Sequence, residues 1–402
     1  MNADQNSARV PRSSTRRLLR GLRISLIVSL MLLALGEIAV RSFTHTSRPM
    51  LIVEPLVGRR YTPNFEGRVP HPESKRRIDL RFNSEGLRFP DLPRQKPVGT
   101  KRLVLLGDSM IAALEVQEEE TAVALLQKQL AEARPGEKWE VLNFGVSGSG
   151  TGQQLVLYQE LASQYQPDVV LCAFYVGNDF SDNNTRLSHR KQIYFDLDEK
   201  GELQRSPFPT IGDRFNETLN EYSRLYVWQK RAIAKAKAQA KVVRAEDTID
   251  SRHAWHGDSI RGSEWVYFTG EDETTDYGWR VTRKVIHSLA EEVRADGAEF
   301  AMVMMPSARQ VHDEDFEYLR RIAGEQAELF DPAQPGAQLA AICDDVQAPF
   351  FDLLPALRVA APSHSYEAKN EWLFYGGIGH LNPEGHRVVA AELLDHLVRT
   401  LL

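Results

Sequence analysis

The sequence predicts an α/β fold built on a parallel β-sheet, with one apolar N-terminal helix ahead of it. Three observations carry this reading. From Lys101 onward, short apolar runs alternate with segments of helical periodicity, the pattern of strands joined by crossover helices. Three of the runs end in small polar loops, as parallel strands do at the sheet edge where ligands bind. An arginine-rich flank precedes an uncharged run at residue 24, the order expected of a membrane-directed N-terminus.

The 402 residues allow one large domain with insertions, or two domains. With 42% hydrophobic and 26% charged residues the composition is globular, which excludes a mostly disordered chain, a collagen-like repeat and a polytopic membrane protein. Cys172 and Cys343 are the only cysteines. They read as single buried thiols, not as a disulfide framework. Overall there are 49 Lys and Arg against 55 Asp and Glu, yet residues 1–43 hold seven Arg against Asp4 and Glu37. A basic N-terminal piece thus precedes an acidic body, and that balance speaks against nucleic acid as a partner.

Ile24–Gly36 runs thirteen residues without a charge, and Ile38–Val40 extend it beyond Glu37. As a retained anchor, Ile24–Val40 offers 17 residues, the lower limit of the roughly 17–25 needed to span a bilayer. As a cleaved signal, the run has a suitable length and Ala34-Leu35-Gly36 is a small-x-small cleavage site. The long arginine flank and the lack of helix breakers favour a single-pass anchor. Thr15–Leu19 matches a twin-arginine signal only in part. Anchor or signal, the body lies outside the cytoplasm.

Residues 44–98, rich in Pro and Arg, read as a linker followed by a strap. Residues 99–402 then form the main domain. Its first strand is Arg102–Leu106, ending at Gly107, and the helix Thr121–Ala133 repeats Val123, Leu126 and Leu130 at three and four. The second strand, Trp139–Asn143, leads into the loop Gly145–Gly150. A helix over Gln153–Gln164 and a third strand over Asp168–Val176 follow. The helix Val281–Ala295 leads to a fourth strand, Phe300–Met305, and Ala348–Asp352 is a short fifth. The last helix is Asn382–Leu402, with Asn382 as N-cap and Pro383 in its first turn.

Between about 183 and 277 the alternation stops, and an insertion of that length after a strand end reads as a lid or substrate groove. It holds the basic stretch Tyr222–Arg244, which reads as a solvated helix or as a contact for anionic lipid or an acidic polymer. Trp228, Trp255, Trp265, Tyr267 and Trp279 read as hydrophobic anchors of the insertion or as platforms for sugar rings.

Ser109 follows the first strand, where a hydroxyl is exposed at the sheet edge and can act as a nucleophile. It needs a base, and His380 stands just before the last helix. Acyl transfer also needs donors aimed at the developing oxyanion. The backbone N–H groups of Ser109 and Gly148 and the amide of Asn178 lie on three different strand-end loops. Asp108 reads as support for its loop, and His386 as a packed helix residue. His380 and His386 lack the spacing of a helical metal pair, and His253-Ala254-Trp255-His256 is an isolated pair. No metal and no cofactor is expected.

These blocks, in this order, resemble the SGNH (GDSL) hydrolases: Gly107-Asp108-Ser109-Met110, Asn143–Gly148, Gly177-Asn178-Asp179 and His380–His386. Asn83–Arg88 also resembles the lead-in of exported bacterial members. The resemblance implies a three-layer α/β/α sandwich around a five-stranded parallel sheet. It implies Ser109 as nucleophile, His380 as base, and Ser109, Gly148 and Asn178 as the oxyanion hole. The implied activity is hydrolysis of O-acyl esters of a glycan or lipid, or acyl transfer to a glycan. In one respect the chain departs from the family. The triad acid normally three residues before the His is Gly377. A carbonyl or water can orient His380, an acid can come from elsewhere with Glu371 and Asp352 as candidates, or the chain is a tethered binding or assembly protein without turnover. A lyase or phosphoesterase would need metal ligands or a phosphate clamp that the sequence lacks.

Overall fold

The computed structural model describes residues 12–44, 49–188, 190–246, 260, 262–361, 372–377 and 379–402. Two compact units emerge, Met1–Pro49 with Phe215–Ile249, and Met50–Arg214 with Asp250–Leu402. The N-terminal segment is one helix, α1 (Arg12–Phe43), in which Arg16–Phe43 is long and apolar enough to cross a membrane. Its leucines and isoleucines face outward.

The strap contains two antiparallel ribbons: β1 (Leu51–Glu54) with β2 (Gly58–Tyr61), and β3 (Glu66–Pro70) with β4 (Arg77–Arg81). Strands this short carry too few side chains to show a period, so the sequence suggests only an irregular strap here. Then come β5 (Thr100–Gly107), α2 (Ser109–Ala112), α3 (Ala122–Ala133), β6 (Lys138–Gly145), α4 (Thr151–Glu160), β7 (Val169–Tyr175) and α5 (Asp179–Asp182). The insertion holds the hairpin of β8 (Phe195–Leu197) and β9 (Leu203–Arg205), then α6 (Ile211–Tyr222) and α7 (Arg224–Glu246). The α/β alternation resumes with α8 (Glu273–Ala295), β10 (Glu299–Met305), α9 (Ala308–Val311), α10 (Asp313–Ala323) and α11 (Gln334–Val346). It closes with β11 (Phe350–Asp352), α12 (Leu354–Ala360) and α13 (Pro383–Thr400).

Five of these strands form one parallel sheet in the order β11-β10-β7-β5-β6. Both of its faces are covered, which is why its strands read as unbroken apolar runs. Val104, Leu106, Cys172, Phe174, Met302 and Met304 face one core layer, beneath α4, α8 and α11. Leu103, Leu105, Leu171, Ala173, Ala301 and Val303 face the other, beneath α3 and α13. The structure is thus the three-layer α/β/α arrangement the sequence implied. Cys172 and Cys343 are both buried and unpaired with each other.

One helix starts earlier than its periodicity suggests. The sequence places its start at Val281, but α8 begins at Glu273, capped by the Asp272 carboxylate accepting from Thr275 N at 2.7 Å. The first two turns are buried by aromatic packing, which no simple apolar stripe reveals. Trp279 stacks on Phe174 and packs against the tilted ring of Phe180. Trp265 and Tyr267 are likewise packed inward, the former against Phe268 and Phe330 and the latter bonded to Ser307 at 2.7 Å. Trp228 is half exposed, and Trp255 lies outside the described residues.

In the smaller unit, Glu37 of α1 caps the start of α7. Its carboxylate accepts from Ser223 Oγ at 2.9 Å, Arg224 N at 2.8 Å and Leu225 N at 2.9 Å. An acid inside an otherwise apolar segment is thereby consumed by a helix N-terminus.

The lower end of the sheet is tied by a fully buried arginine. Arg102 of β5 donates to Glu140 at 2.8 Å, to Arg94 O at 2.8 Å, to Tyr165 O at 2.7 Å and to Pro93 O at 2.8 Å. It joins strap, sheet and the end of the α4 segment in one network. Removing it strands a carboxylate and three carbonyls, so Arg102→Ala is expected to cost about 3–5 kcal/mol of stability. Urea unfolding of the full chain in detergent measures this, and a loss below about 1 kcal/mol would sink the network argument.

Candidate active site

The strands β5, β6 and β7 end at one edge of the sheet, and each delivers one loop to a cleft of about 460 Å³. The loops carry Ser109, Ser147-Gly148 and Gly177-Asn178. Gly379-His380 closes another side ahead of α13, and the β3–β4 hairpin tip brings His71 and Glu73 from the strap.

Ser109 is the first residue of α2, and Asp108 caps that turn by accepting from Met110 N at 2.8 Å. The cap holds the hydroxyl over the cleft. Ser109 Oγ lies 2.9 Å from His380 Nε2 and 3.3 Å from Asp108 Oδ2. On the far side of the ring, His380 Nδ1 lies 2.9 Å from Glu73 Oε2, and the same oxygen accepts the His380 backbone N–H at 2.9 Å. A second carboxylate oxygen, Glu115 Oε1, stands 3.2 Å from Nδ1. With Nδ1–H donating to a carboxylate, the Nε2 lone pair faces the serine.

Glycine at 379 is a requirement of this contact. A Cβ there would collide with Glu73 Oε2 and with the backbone carbonyl of Tyr375, so a side chain would displace the acid or the loop that carries His380. The hairpin tip is held in turn by Arg76, whose guanidinium meets both oxygens of Glu120 at 2.8 and 3.0 Å.

The charges follow from this crowding. Burial disfavours the imidazolium, but the Glu73 bond and the charges of Glu115, Glu73 and Asp108 outweigh it and raise His380 to about 9. Burial also opposes ionisation of Glu73, yet its bonds to His380 hold it below the ordinary carboxylate range. Glu115, almost fully enclosed, is pushed up by burial to about 7. Burial raises Asp108 to about 6.

The neighbouring loops are fixed by the strap. Tyr61 Oη accepts from Ser147 N at 2.9 Å and shares a 2.7 Å hydrogen bond with Ser147 Oγ. Gly148, with φ of +74°, follows in a conformation that favours glycine. Asn178 donates one amide hydrogen to Asp182 Oδ2 at 3.1 Å. That bond orients the amide, and its second hydrogen is free for the cleft. Asp182 is itself held by Ser188 at 2.9 Å and Arg190 at 2.8 Å.

Ser109, Gly148, Asn178 and His380 therefore line one cleft, while the acid comes from elsewhere than expected. Gly377 offers no side chain. Asp352 does not reach the ring: at the end of β11 it accepts from Leu354 N at 2.9 Å. The sheet order puts it three strands from β5, about 14 Å at ordinary strand spacing. Glu371 and His253–His256 lie outside the described residues. His386 is buried, accepts from Ala122 N at 3.3 Å, and burial pushes its pKa to about 3. Among the described residues no cluster of His, Cys, Asp and Glu could hold a metal ion.

Sequence reasoning missed Glu73 and Glu115. One signal pointed toward them, the lead-in Asn83–Arg88. Asn83 Oδ1 accepts from Glu85 N at 3.0 Å and Leu87 N at 2.9 Å, forming a tight turn. Buried Arg88 then donates to Ala112 O at 3.1 Å, to Ala113 O and to Val116 O at 2.8 Å. These bonds bracket Glu115. The strap thus belongs to the cleft, which the motif alone did not reveal.

Four sequence blocks meeting at one edge of a five-stranded parallel sheet decide the architecture. It is the arrangement that the resemblance to the SGNH hydrolases implied. No family model and no curated protein matches the chain. Among solved structures it is similar to TesA, at 14% identity and a TM-score of 0.37 over 75% of this chain and 100% of that one. It is similar to the acetyl xylan esterase AlAXEase, at 14% identity and a TM-score of 0.39 over 73% and 98% of the two chains. It is also similar to Axe2, an acetylxylan esterase from Geobacillus stearothermophilus, at 13% identity and a TM-score of 0.40 over 75% and 95%.

Proposed function

We propose that the chain is a membrane-anchored serine esterase acting outside the cytoplasm on short O-acyl esters of a glycan. The observation that carries it is the relay Ser109–His380–Glu73, with both contacts at 2.9 Å. Ser109 Oγ attacks the ester carbonyl while its proton passes to His380 Nε2. Ser109 N–H, Gly148 N–H and the Asn178 amide hold the oxyanion. Collapse expels the alcohol, which takes the proton from His380, and leaves acyl-Ser109. Water, deprotonated by His380, then releases the carboxylic acid and restores the serine.

The cleft is lined by His71, Glu73, Asp108, Glu115, Asn178 and Arg190, with Leu114 and Tyr175 as its larger apolar walls. Such a lining suits a small acyl group on a polar alcohol better than a fatty chain. The binding-only alternative drew its motive from the missing acid at Gly377, and Glu73 removes that motive. Glu37 supports retention of the N-terminal helix, since cleavage after Gly36 would turn the residue that caps α7 into a free chain end.

The test is a fluorophosphonate probe on the full chain in detergent. The expected result is a single adduct, mapped by mass spectrometry to the peptide carrying Ser109. A folded protein that forms no adduct, or forms it elsewhere, overturns the esterase reading.

A further inference from the structure

We propose that Arg59 and Arg190 form a carboxylate-binding subsite beside the oxyanion donors, so that the ester is borne by an acidic sugar. The proposal rests on the esterase reading and names its substrate class.

Arg59 lies on β2 and Arg190 lies in the insertion, 131 positions later in the chain. Their side chains nevertheless converge. A Cβ on Gly148 would find Arg59 Nη1 at 3.8 Å and Arg190 Nη1 at 3.9 Å, and no other heavy atom outside its neighbours within 4 Å. Two guanidinium groups thus overhang the residue whose N–H is a candidate oxyanion donor. Bringing like charges together has a cost, and it shows: burial first, and then the charge of Arg190, lower the pKa of Arg59.

The local acid does not balance the pair. Asp182 is the carboxylate engaged, at 2.8 Å from Arg190 Nη1, and it also serves Asn178 and Ser188. Arg59 spends Nη2 on a neutral acceptor, Lys191 O, at 2.5 Å. Among the described residues no carboxylate lies within ion-pair distance of Arg59. Within this group beside Gly148 two cations face one anion, and the excess positive charge matches a monoanion. Guanidinium donors recognise carboxylates by paired, planar hydrogen bonds. Because the subsite adjoins Gly148, the anion must sit close to the reacting carbonyl. A sugar ring with both an acylated hydroxyl and a ring carboxylate meets that demand, whereas a neutral sugar leaves the charge unanswered.

The experiment compares acetylated oligogalacturonate with an acetylated xylo-oligosaccharide of equal length, using the full chain in detergent. Wild type is expected to prefer the acidic substrate in kcat/KM by about tenfold or more, and to lose part of that preference at high salt. Arg59→Gln is expected to bring the ratio near one by raising KM for the acidic substrate, and Arg59→Lys to restore part of it. Unacetylated oligogalacturonate is expected to compete with the neutral ester on wild type and not on Arg59→Gln. No preference in wild type, or an equal loss on both substrates in Arg59→Gln, overturns the subsite and gives the arginines to the oxyanion alone. Competition by a glycerophosphodiester but not by oligogalacturonate overturns the carboxylate assignment. If neither ester is turned over, the esterase reading fails instead, and calorimetric titration of wild type and Arg59→Gln with oligogalacturonate still decides the subsite by itself: tight binding lost in the variant supports it, and equal or absent binding overturns it.

Discussion

Glu73→Ala is expected to lower kcat about a hundredfold, and Glu73→Ala combined with Glu115→Ala about ten-thousandfold, the order of loss seen when a serine triad loses its acid. The reasoning is geometric. Glu73 Oε2 accepts both the ring Nδ1–H and the backbone N–H of His380, each at 2.9 Å, so it fixes where the ring stands and which nitrogen carries the proton. Without it, Glu115 Oε1 at 3.2 Å can still accept Nδ1–H. Only the double variant leaves Nδ1–H without a carboxylate acceptor and the imidazolium with Asp108 alone as counter-charge. Steady-state turnover of a chromogenic acetyl ester measures both variants. Equal losses in the single and double variants would show that Glu115 provides no second acceptor.

The same two carboxylates set the pH profile. Only neutral His380 can take the serine proton. Its pKa of about 9 means that the charged, inactive form prevails below that value. The kcat/KM is therefore expected to climb between pH 7 and 9 and to level off above. Glu115→Gln removes a negative charge beside the ring, which destabilises the imidazolium and lowers the His380 pKa. The rising limb should move to lower pH by about one unit or more, raising activity at neutral pH. Glu73 and Glu115 thus separate into an orienting acid and a charge that tunes the base, and a limb that stays in place in Glu115→Gln would contradict that division.

What could be read from the sequence was local. Each sheet strand is a continuous apolar run because both its faces are covered, and Ser109, Gly148 and Asn178 stand within a few residues of a strand end. His380 stands before an N-cap that Asn382 marks plainly. Glu73 has no such marker. It sits on the turn of a hairpin whose strands are only five residues each, and it reaches His380 only because the strap folds back over the sheet edge. Glu115 is hidden differently, since it lies just before the acidic run Glu118–Glu120 and reads as part of a solvated surface. Burial, which the sequence does not report at an isolated acidic position, is what separates it from its neighbours. The early start of α8 was lost for a related reason, as an aromatic cluster replaced the leucine stripe.

Asn178→Ala is expected to lower kcat by about 10²–10³, with KM little changed, the effect of removing one preorganised oxyanion donor. The amide belongs to no strand or helix interior. Its conformation is set by the bond to Asp182, and Asp182 keeps Ser188 and Arg190 when the amide is gone. The variant should therefore fold, and its loss should fall on the transition state alone, where the carbonyl oxygen becomes an anion. Asn178→Asp is the sharper comparison. It keeps the size of the side chain but adds a carboxylate beside Asp182 and faces the developing oxyanion with like charge. Its kcat should fall below that of the alanine variant. Turnover equal to wild type in Asn178→Ala would remove the amide from the oxyanion hole, leaving only the backbone donors of Ser109 and Gly148 to stabilise the charge.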